Sequence, residues 1–314
     1  VTARAALSQT ALLMELEPVV EKNLNRHLSV AKEWFPHEYV PWSEGRTFDG
    51  PLGGDAWSES DSKLPEVART ALIVNLLTED NLPSYHRQIA TLFGPDGAWG
   101  TWVGRWTAEE GRHGTAIRDY LTVTRAVDPV ALERARMTHM TEGYSNNHDD
   151  EVLHTLAYVS FQELATRISH RNTGRVTGDP TCEALLAKVA ADENLHMVFY
   201  RNLLGAAFEL APGQAMRAVA DVLADFQMPG AGIEGFARKS VAIALAGIYD
   251  LRQHRDDVVV PVLRQWDVFN LSGLDADGEA AREEVAAQLD TLERQASRFE
   301  ERRAARAARI AATS

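Results

Sequence analysis

Two stretches of this chain place charged residues on helix faces that ought to be apolar. Residues 180–208 read as one long helix whose stripe runs Cys182, Leu185, Leu186, Val189, Met197, Tyr200, Leu203 and Leu204. Those positions keep the i, i+3, i+4 spacing of one helical face, and Glu193 and His196 fall in the middle of it. The same interruption recurs over about 98–125, where Trp99, Trp102, Trp106, Ile117 and Leu121 share a face with Glu110 and His113. Burying an isolated carboxylate is very costly unless it is paired or bound to a cation. One Glu-x-x-His on an apolar face is ordinarily a buried ion pair or a solvated notch. Two of them, on two long helices, narrow what the chain can fold into.

A bundle that buries a di-iron carboxylate centre needs two Glu-x-x-His helices and one further Glu from each of two more. Glu79 continues the Leu72, Leu76 face and precedes Glu110 by 31 residues; Glu163 continues the Leu156, Val159 face and precedes Glu193 by 30. The spacing suits two helical hairpins facing each other across a pseudo-twofold axis. Carboxylates and imidazoles suit iron, and carboxylates also suit manganese. Four carboxylates would balance the charge of a reduced pair, so the centre could be buried almost neutral. Asp192 and Arg112, beside these residues, are candidates to orient the histidines.

The remaining pattern is helical, and no strand or hairpin signal stands out. Helices are expected over about 6–32 (with a kink at Pro18), 65–81, 83–93, 98–125, 129–142, 150–171, 180–208, 212–227, 233–249 and 255–265, and in the charged stretch after 278. Residues 36–63, with three prolines and four glycines, read as an irregular excursion, 144–150 as a loop and 171–180 as a break. The expectation is an all-α fold: a single domain over 1–314 with a ferritin-like four-helix bundle at about 65–208, elaborated by peripheral helices at about 6–32 and 212–305. A single cysteine, Cys182, excludes an internal disulfide framework and Cys-ligated clusters within this chain, and fits a reducing cytoplasm. A formal net charge of −13 argues against nonspecific nucleic-acid binding. No apolar run is long enough for a membrane span, and the first residues lack a secretory signal.

The words around these residues resemble the soluble acyl-acyl-carrier-protein desaturases, and most of all their actinobacterial branch, related to plant stearoyl carrier-protein desaturases. The blocks that carry the resemblance are KEWFPHEYVPW (32–42), TEDNLPSYH (78–86), RWTAEEGRHG (105–114), SFQELATRISHRNTG (160–174) and DENLHMVFYRN (192–202), within a similarity covering roughly 10–270. The resemblance implies that Glu79, Glu110, His113, Glu163, Glu193 and His196 are the ligands of two irons. It implies a role for Thr166 on the oxygen-binding side, against the ordinary alternative of a helix threonine bonded to its own i−4 carbonyl. It implies electron entry at Trp34, linked to iron by Asp192 and His113; the alternative is a core anchor. Gly111 departs from the family's usual Asn.

The activity implied is O2-dependent insertion of a cis double bond into an acyl chain tethered to acyl carrier protein. An unactivated C–H bond needs an oxidant that side chains cannot supply. No dinucleotide fingerprint follows a strand, so a separate reductant is required, by resemblance ferredoxin. The resemblance also implies a homodimer, and Thr91 and Leu92 near the deep end of an acyl slot. Carrier proteins are acidic, so docking on this acidic chain needs a local basic patch, for which Arg167, Arg171 and Arg175, with Lys188 nearby, are candidates. The alternative there is a solvated helix end with cations on its C-terminal dipole. A di-iron monooxygenase on the same scaffold, a non-catalytic ferritin-like binding protein, and a ribonucleotide reductase radical subunit using Tyr200 or Tyr120 remain as other readings.

Overall fold

A computed structural model describes residues 6–144 and 150–313, so the interior of the loop expected at 144–150 lies outside the described residues. Its helices are α1 Gln9–Val30, α2 Glu66–Asp80, α3 Leu82–Phe93, α4 Gly97–Val123, α5 Pro129–Glu142, α6 Val152–Thr177, α7 Pro180–Leu210, α8 Pro212–Asp225, α9 Phe236–Leu245, the short α10 Leu251–Gln253, α11 Val260–Trp266 and α12 Ala276–Thr313. A π-helical turn, His254–Val259, joins α10 to α11. The fold is all-α, and the described residues hold a single isolated bridge, Phe48 to Asp55.

Local chemistry sets the helix ends. Ser8 caps α1 by accepting from the Ala11 N–H, and Asp128 and Asp179 cap α5 and α7 in the same way, each followed by a proline at the first helical position. Pro18 lies inside α1, which continues through it. The expected break at 171–180 shrinks to Gly178 and Asp179, because α6 runs on to Thr177. Gly174 does not interrupt the helix. A Cβ there would sit 3.1 Å from the Cα of Glu183 and 3.4 Å from the Cβ of Leu186, so its missing side chain allows α6 and α7 to pack closely. The positive φ that ends the helix belongs to Gly178, at 66°.

α2, α4, α6 and α7 form the inner bundle, and α1 lies against α4 and α7. Leu12, Leu16, Trp102, Phe161, Tyr200 and Leu203 are among the buried side chains of the largest core cluster. The excursion at 36–63 forms three 3-10 turns. The buried Arg125 pins it, donating to Asp61 and to the carbonyls of Asp55 and Ala56 while lying over the Phe48 ring. No described helix is long and apolar enough to cross a membrane.

Candidate metal centre

The six acidic and imidazole side chains singled out above converge in the middle of the inner bundle, and all six are buried. Glu79 comes from α2, Glu110 and His113 from α4, Glu163 from α6, and Glu193 and His196 from α7. They fall into two overlapping groups, Glu79, Glu110, His113, Glu193 and Glu110, Glu163, Glu193, His196, with the candidate ligand atoms of each group within 4.8 Å of one another. Glu110 and Glu193 belong to both, as bridging carboxylates between two cations would. Nδ1 of His113 stands 3.3 Å from Glu193, 3.5 Å from Glu110 and 3.7 Å from Glu79. Nδ1 of His196 stands 2.7 Å from Glu110 and 3.6 Å from Glu163.

The residues fit a two-metal centre on their own chemistry. His113 Nδ1, His196 Nδ1, Glu110 Oε1 and Glu163 Oε2 are buried polar atoms that make no well-aligned hydrogen bond, although His196 Nδ1 and Glu110 Oε1 face each other at 2.7 Å. Such atoms are costly unless something fills the gap between them. Burial and the carboxylates of Glu193 and Glu110 push the Glu163 carboxyl well above its usual range. Burial alone would lower both imidazoles, yet the surrounding carboxylates raise them well above the usual histidine value. The pocket is short of positive charge, and two cations would supply it.

The opposite ring nitrogen of each histidine is held by a carboxylate from the other Glu-x-x-His helix. His113 Nε2 lies 3.2 Å from Asp192, which also accepts from the Trp34 indole at 2.8 Å and from Arg112 at 2.6 Å. The Arg112 guanidinium stacks 4.4 Å from the Trp34 ring, so Arg112 acts on Asp192 and Trp34 rather than on a histidine. His196 Nε2 lies 2.9 Å from Glu109, which is also 3.0 Å from His27 Nε2 and paired with Arg105. Burial would raise Glu109, but the bonds from His196 and His27 hold it well below the usual carboxylate range. These contacts leave Nδ1 of both rings turned toward the four glutamates, where it would be free for a cation.

Sequence reasoning found Asp192 and missed its twin. Asp192 and Glu109 each directly precede a glutamate shared by both groups, so the repeated unit is acid-Glu-x-x-His, and aligning EEGRH on DENLH reveals it. His27 and His170 were also missed, and their surroundings in the sequence carry no such signal. His170 donates from Nε2 to Glu79 at 2.8 Å, since its Nδ1 faces the amide nitrogen of Asn75 at 3.3 Å. Trp106 donates to Glu163 at 3.1 Å. Thr166 bonds Glu193 Oε2 at 2.8 Å while also reaching the Gln162 and Glu163 carbonyls, so it combines the ordinary helix bond with a contact at the centre.

Two narrow cavities flank the centre. One of about 60 Å³ touches Glu79, Glu110, Glu163, Thr166 and Glu193 and is walled by Tyr85, Gln88, Ile89 and Tyr158. The other, about 80 Å³, touches Glu79, Thr166 and His170. Thr91 and Leu92 line neither: Thr91 is exposed and bonds the Arg87 carbonyl, and Leu92 packs against the main core. α3 presents Gln88 and Ile89 instead. Arg167, Arg171 and Arg175 do line one surface groove together with Arg201, but Asp256 and Asp257 stand across it. Lys188 is elsewhere, over the Tyr39 ring. Gly111 faces only Leu82 Cδ2, at 3.6 Å from a would-be Cβ. Tyr120 bonds Asp179 at the end of α6, and Tyr200 accepts from the Trp102 indole.

Comparison with known proteins agrees with this geometry. Residues 8–313 match the fatty acid desaturase family. The protein named as acyl-[acyl-carrier-protein] desaturase DesA1 of Mycobacterium tuberculosis is 53% identical over 303 residues, 94% of this chain and 89% of that protein. A chloroplastic stearoyl-[acyl-carrier-protein] 9-desaturase of Gossypium hirsutum is 28% identical over 93% of this chain and 77% of its own length. The X-ray structure of the acyl-ACP desaturase DesA2 of Mycobacterium tuberculosis superposes with a TM-score of 0.70 at 35% identity, covering 83% of this chain and 97% of that one. The chain belongs to the fatty acid desaturase family.

Proposed function

We propose that this chain is a di-iron acyl-[acyl-carrier-protein] desaturase. It uses O2 and electrons from a ferredoxin to place a cis double bond in an acyl chain tethered to acyl carrier protein. The observation that carries the reading is the pair of overlapping four-residue groups sharing Glu110 and Glu193, with the candidate ligand atoms of each within 4.8 Å of one another. Iron, when bound, supplies the oxidising power toward a C–H bond that no side chain has.

In this reading Glu79, Glu110, His113, Glu163, Glu193 and His196 would hold the two metals, with Glu110 and Glu193 available to either one. Asp192 and Glu109 fix the imidazole tautomers. The Trp34 indole, bonded through Asp192 to His113, is the entry for electrons from the reductant. The Thr166 hydroxyl, bonded to Glu193 and facing both cavities, handles a proton on the oxygen side. The narrow cavities exclude water from the reacting methylenes. The reading extends to a cytoplasmic homodimer.

The test is turnover with ferredoxin, its reductase, NADPH and a ladder of acyl carrier proteins, followed by mass spectrometry of the released chains. Loss of two hydrogens at one mapped position is expected. Gain of one oxygen would instead assign a monooxygenase, and a metal-loaded protein giving neither would overturn the enzymatic reading.

A further inference from the structure

The C-terminal helix α12 carries an arginine stripe that continues the face it presents to an open apolar groove. The groove, about 600 Å³, lies between α8, α9, the turn at 250–254 and α12; Leu223, Phe226, Val241 and Ala244 wall it from one side. From α12 it takes Gln288, Thr291, Leu292, Gln295 and Phe299. With about 100° per residue, Arg298, Arg302, Arg306 and Arg309 fall within about 60° of Gln295, on the same side of the helix. No acidic residue falls on that side between Gln288 and Arg309. Arg298, Arg302 and Arg306 are exposed and form no ion pair among the described residues. The chain as a whole carries −13, yet residues 298–309 hold five arginines against two glutamates.

The groove is also connected inward. Met228, Ser240 and Tyr249 line both it and the cavity of about 80 Å³ that reaches Glu79 and Thr166. Tyr249 is held by a 2.9 Å bond to His254. By contrast, the groove bearing Arg167, Arg171 and Arg175 shares no lining residue with either cavity at the centre. α12 is firmly seated as a platform. Arg217 of α8 pairs with Asp277 and Glu284, and Arg252 pairs with Glu293 and Glu300.

We propose that the arginine stripe of α12 is the docking surface for acyl carrier protein, and that the adjoining apolar groove passes the acyl chain inward between Ser240 and Tyr249. This rests on the desaturase reading above. An acidic carrier protein complements the stripe, and a tethered chain needs an apolar path that begins beside its carrier's dock.

The test uses the full-length metal-loaded protein and a long-chain acyl carrier protein at low salt. The triple variant R298E/R302E/R306E should lose about tenfold or more in carrier-protein affinity and show a flatter salt dependence. R171E/R175E should stay within about twofold of wild type. Circular dichroism and metal content show that each variant is folded. Ser240→Trp should still bind carrier protein while its turnover falls, because it blocks the passage and not the dock. Unchanged affinity in the triple variant, or a loss confined to R171E/R175E, overturns the dock. Loss of ferredoxin-driven reduction with carrier affinity intact assigns the stripe to the reductant and equally overturns it. A wild-type protein that binds no carrier protein overturns the dock as well. Desaturation of an acyl-pantetheine thioester, with no carrier protein present, reads the enzyme assignment separately.

Discussion

The two histidines of the centre have matching inner surroundings and different outer ones. Each is backed by a carboxylate that precedes the shared glutamate of the opposite helix. Behind His113, the carboxylate of Asp192 ends on an indole and a guanidinium, Trp34 and Arg112. Behind His196, Glu109 ends on the Arg105 guanidinium and, in place of an indole, on a third imidazole, His27 of α1, itself edge-on to Trp102 at 5.1 Å. Symmetry within the centre therefore coexists with asymmetry one contact further out. The His113 side reaches Trp34, just beyond the end of α1, and the His196 side stays among α1, α4 and α7.

The largest effect is expected where the halves meet. Glu193→Ala removes a carboxylate common to both groups, so metal content and turnover should fall to background together. Elemental analysis beside an O2-consumption assay checks this, and retention of both would remove Glu193 from the ligand set. The next pair separates the halves. Asp192→Asn and Glu109→Gln should each weaken metal binding by about 10–100-fold at one of the two positions, through loss of the carboxylate that orients the imidazole. Stepwise metal titration should turn biphasic in each. If both variants depress both positions equally, the halves are not independent. A smaller effect distinguishes the outer residues. Trp34→Phe should slow ferredoxin-driven reduction by about tenfold while reduction by a small chemical reductant and metal content stay normal. His27→Phe should do the opposite, leaving reduction rates alone and loosening one metal by a few fold.

The asymmetry also explains what the sequence reveals and what it hides. A helix face with one wrong residue type is a local signal, so Glu110, His113, Glu193 and His196 stand out without any tertiary knowledge. Glu79 and Glu163 follow from the regular length of a helical hairpin. Glu109 was available from the repeated motif but is masked by its neighbour, since an acid before a glutamate looks like ordinary surface charge. His27 and His170 are hidden for a physical reason: their significance comes only from which distant helix they face. Thr91 and Leu92 lie away from both cavities because the face α3 turns inward is set by packing, and it presents Gln88 and Ile89. The arginines of α6 were legible as a cluster, but Asp256 and Asp257 come from a π-turn that no periodicity announces. The break expected at 171–180 treats Gly174 as a stop signal when it is a packing residue, because a glycine's missing side chain reads the same in either role.

The smallest expected effect tests whether the outer contacts matter through burial. Arg112 and Arg105 play matching roles, each pairing with the carboxylate behind a histidine, but their settings differ. The Arg112 side chain is 18% exposed, donates to the Trp34 carbonyl at 3.0 Å as well as to Asp192, and covers the indole. Arg105 is 40% exposed and pairs with Glu109 four residues along the same helix. Removing Arg112 leaves the buried Asp192 with only its indole and imidazole contacts, takes a donor from the Trp34 carbonyl and uncovers the indole, so Arg112→Ala should cost about 1–3 kcal/mol. Arg105→Ala gives up a solvent-screened pair whose partner keeps two imidazole contacts, and should cost no more than about 0.5 kcal/mol. Denaturant midpoints of the metal-free proteins measure both. Equal costs would mean that the guanidinium charge, and not its burial against Trp34, supports the two halves alike.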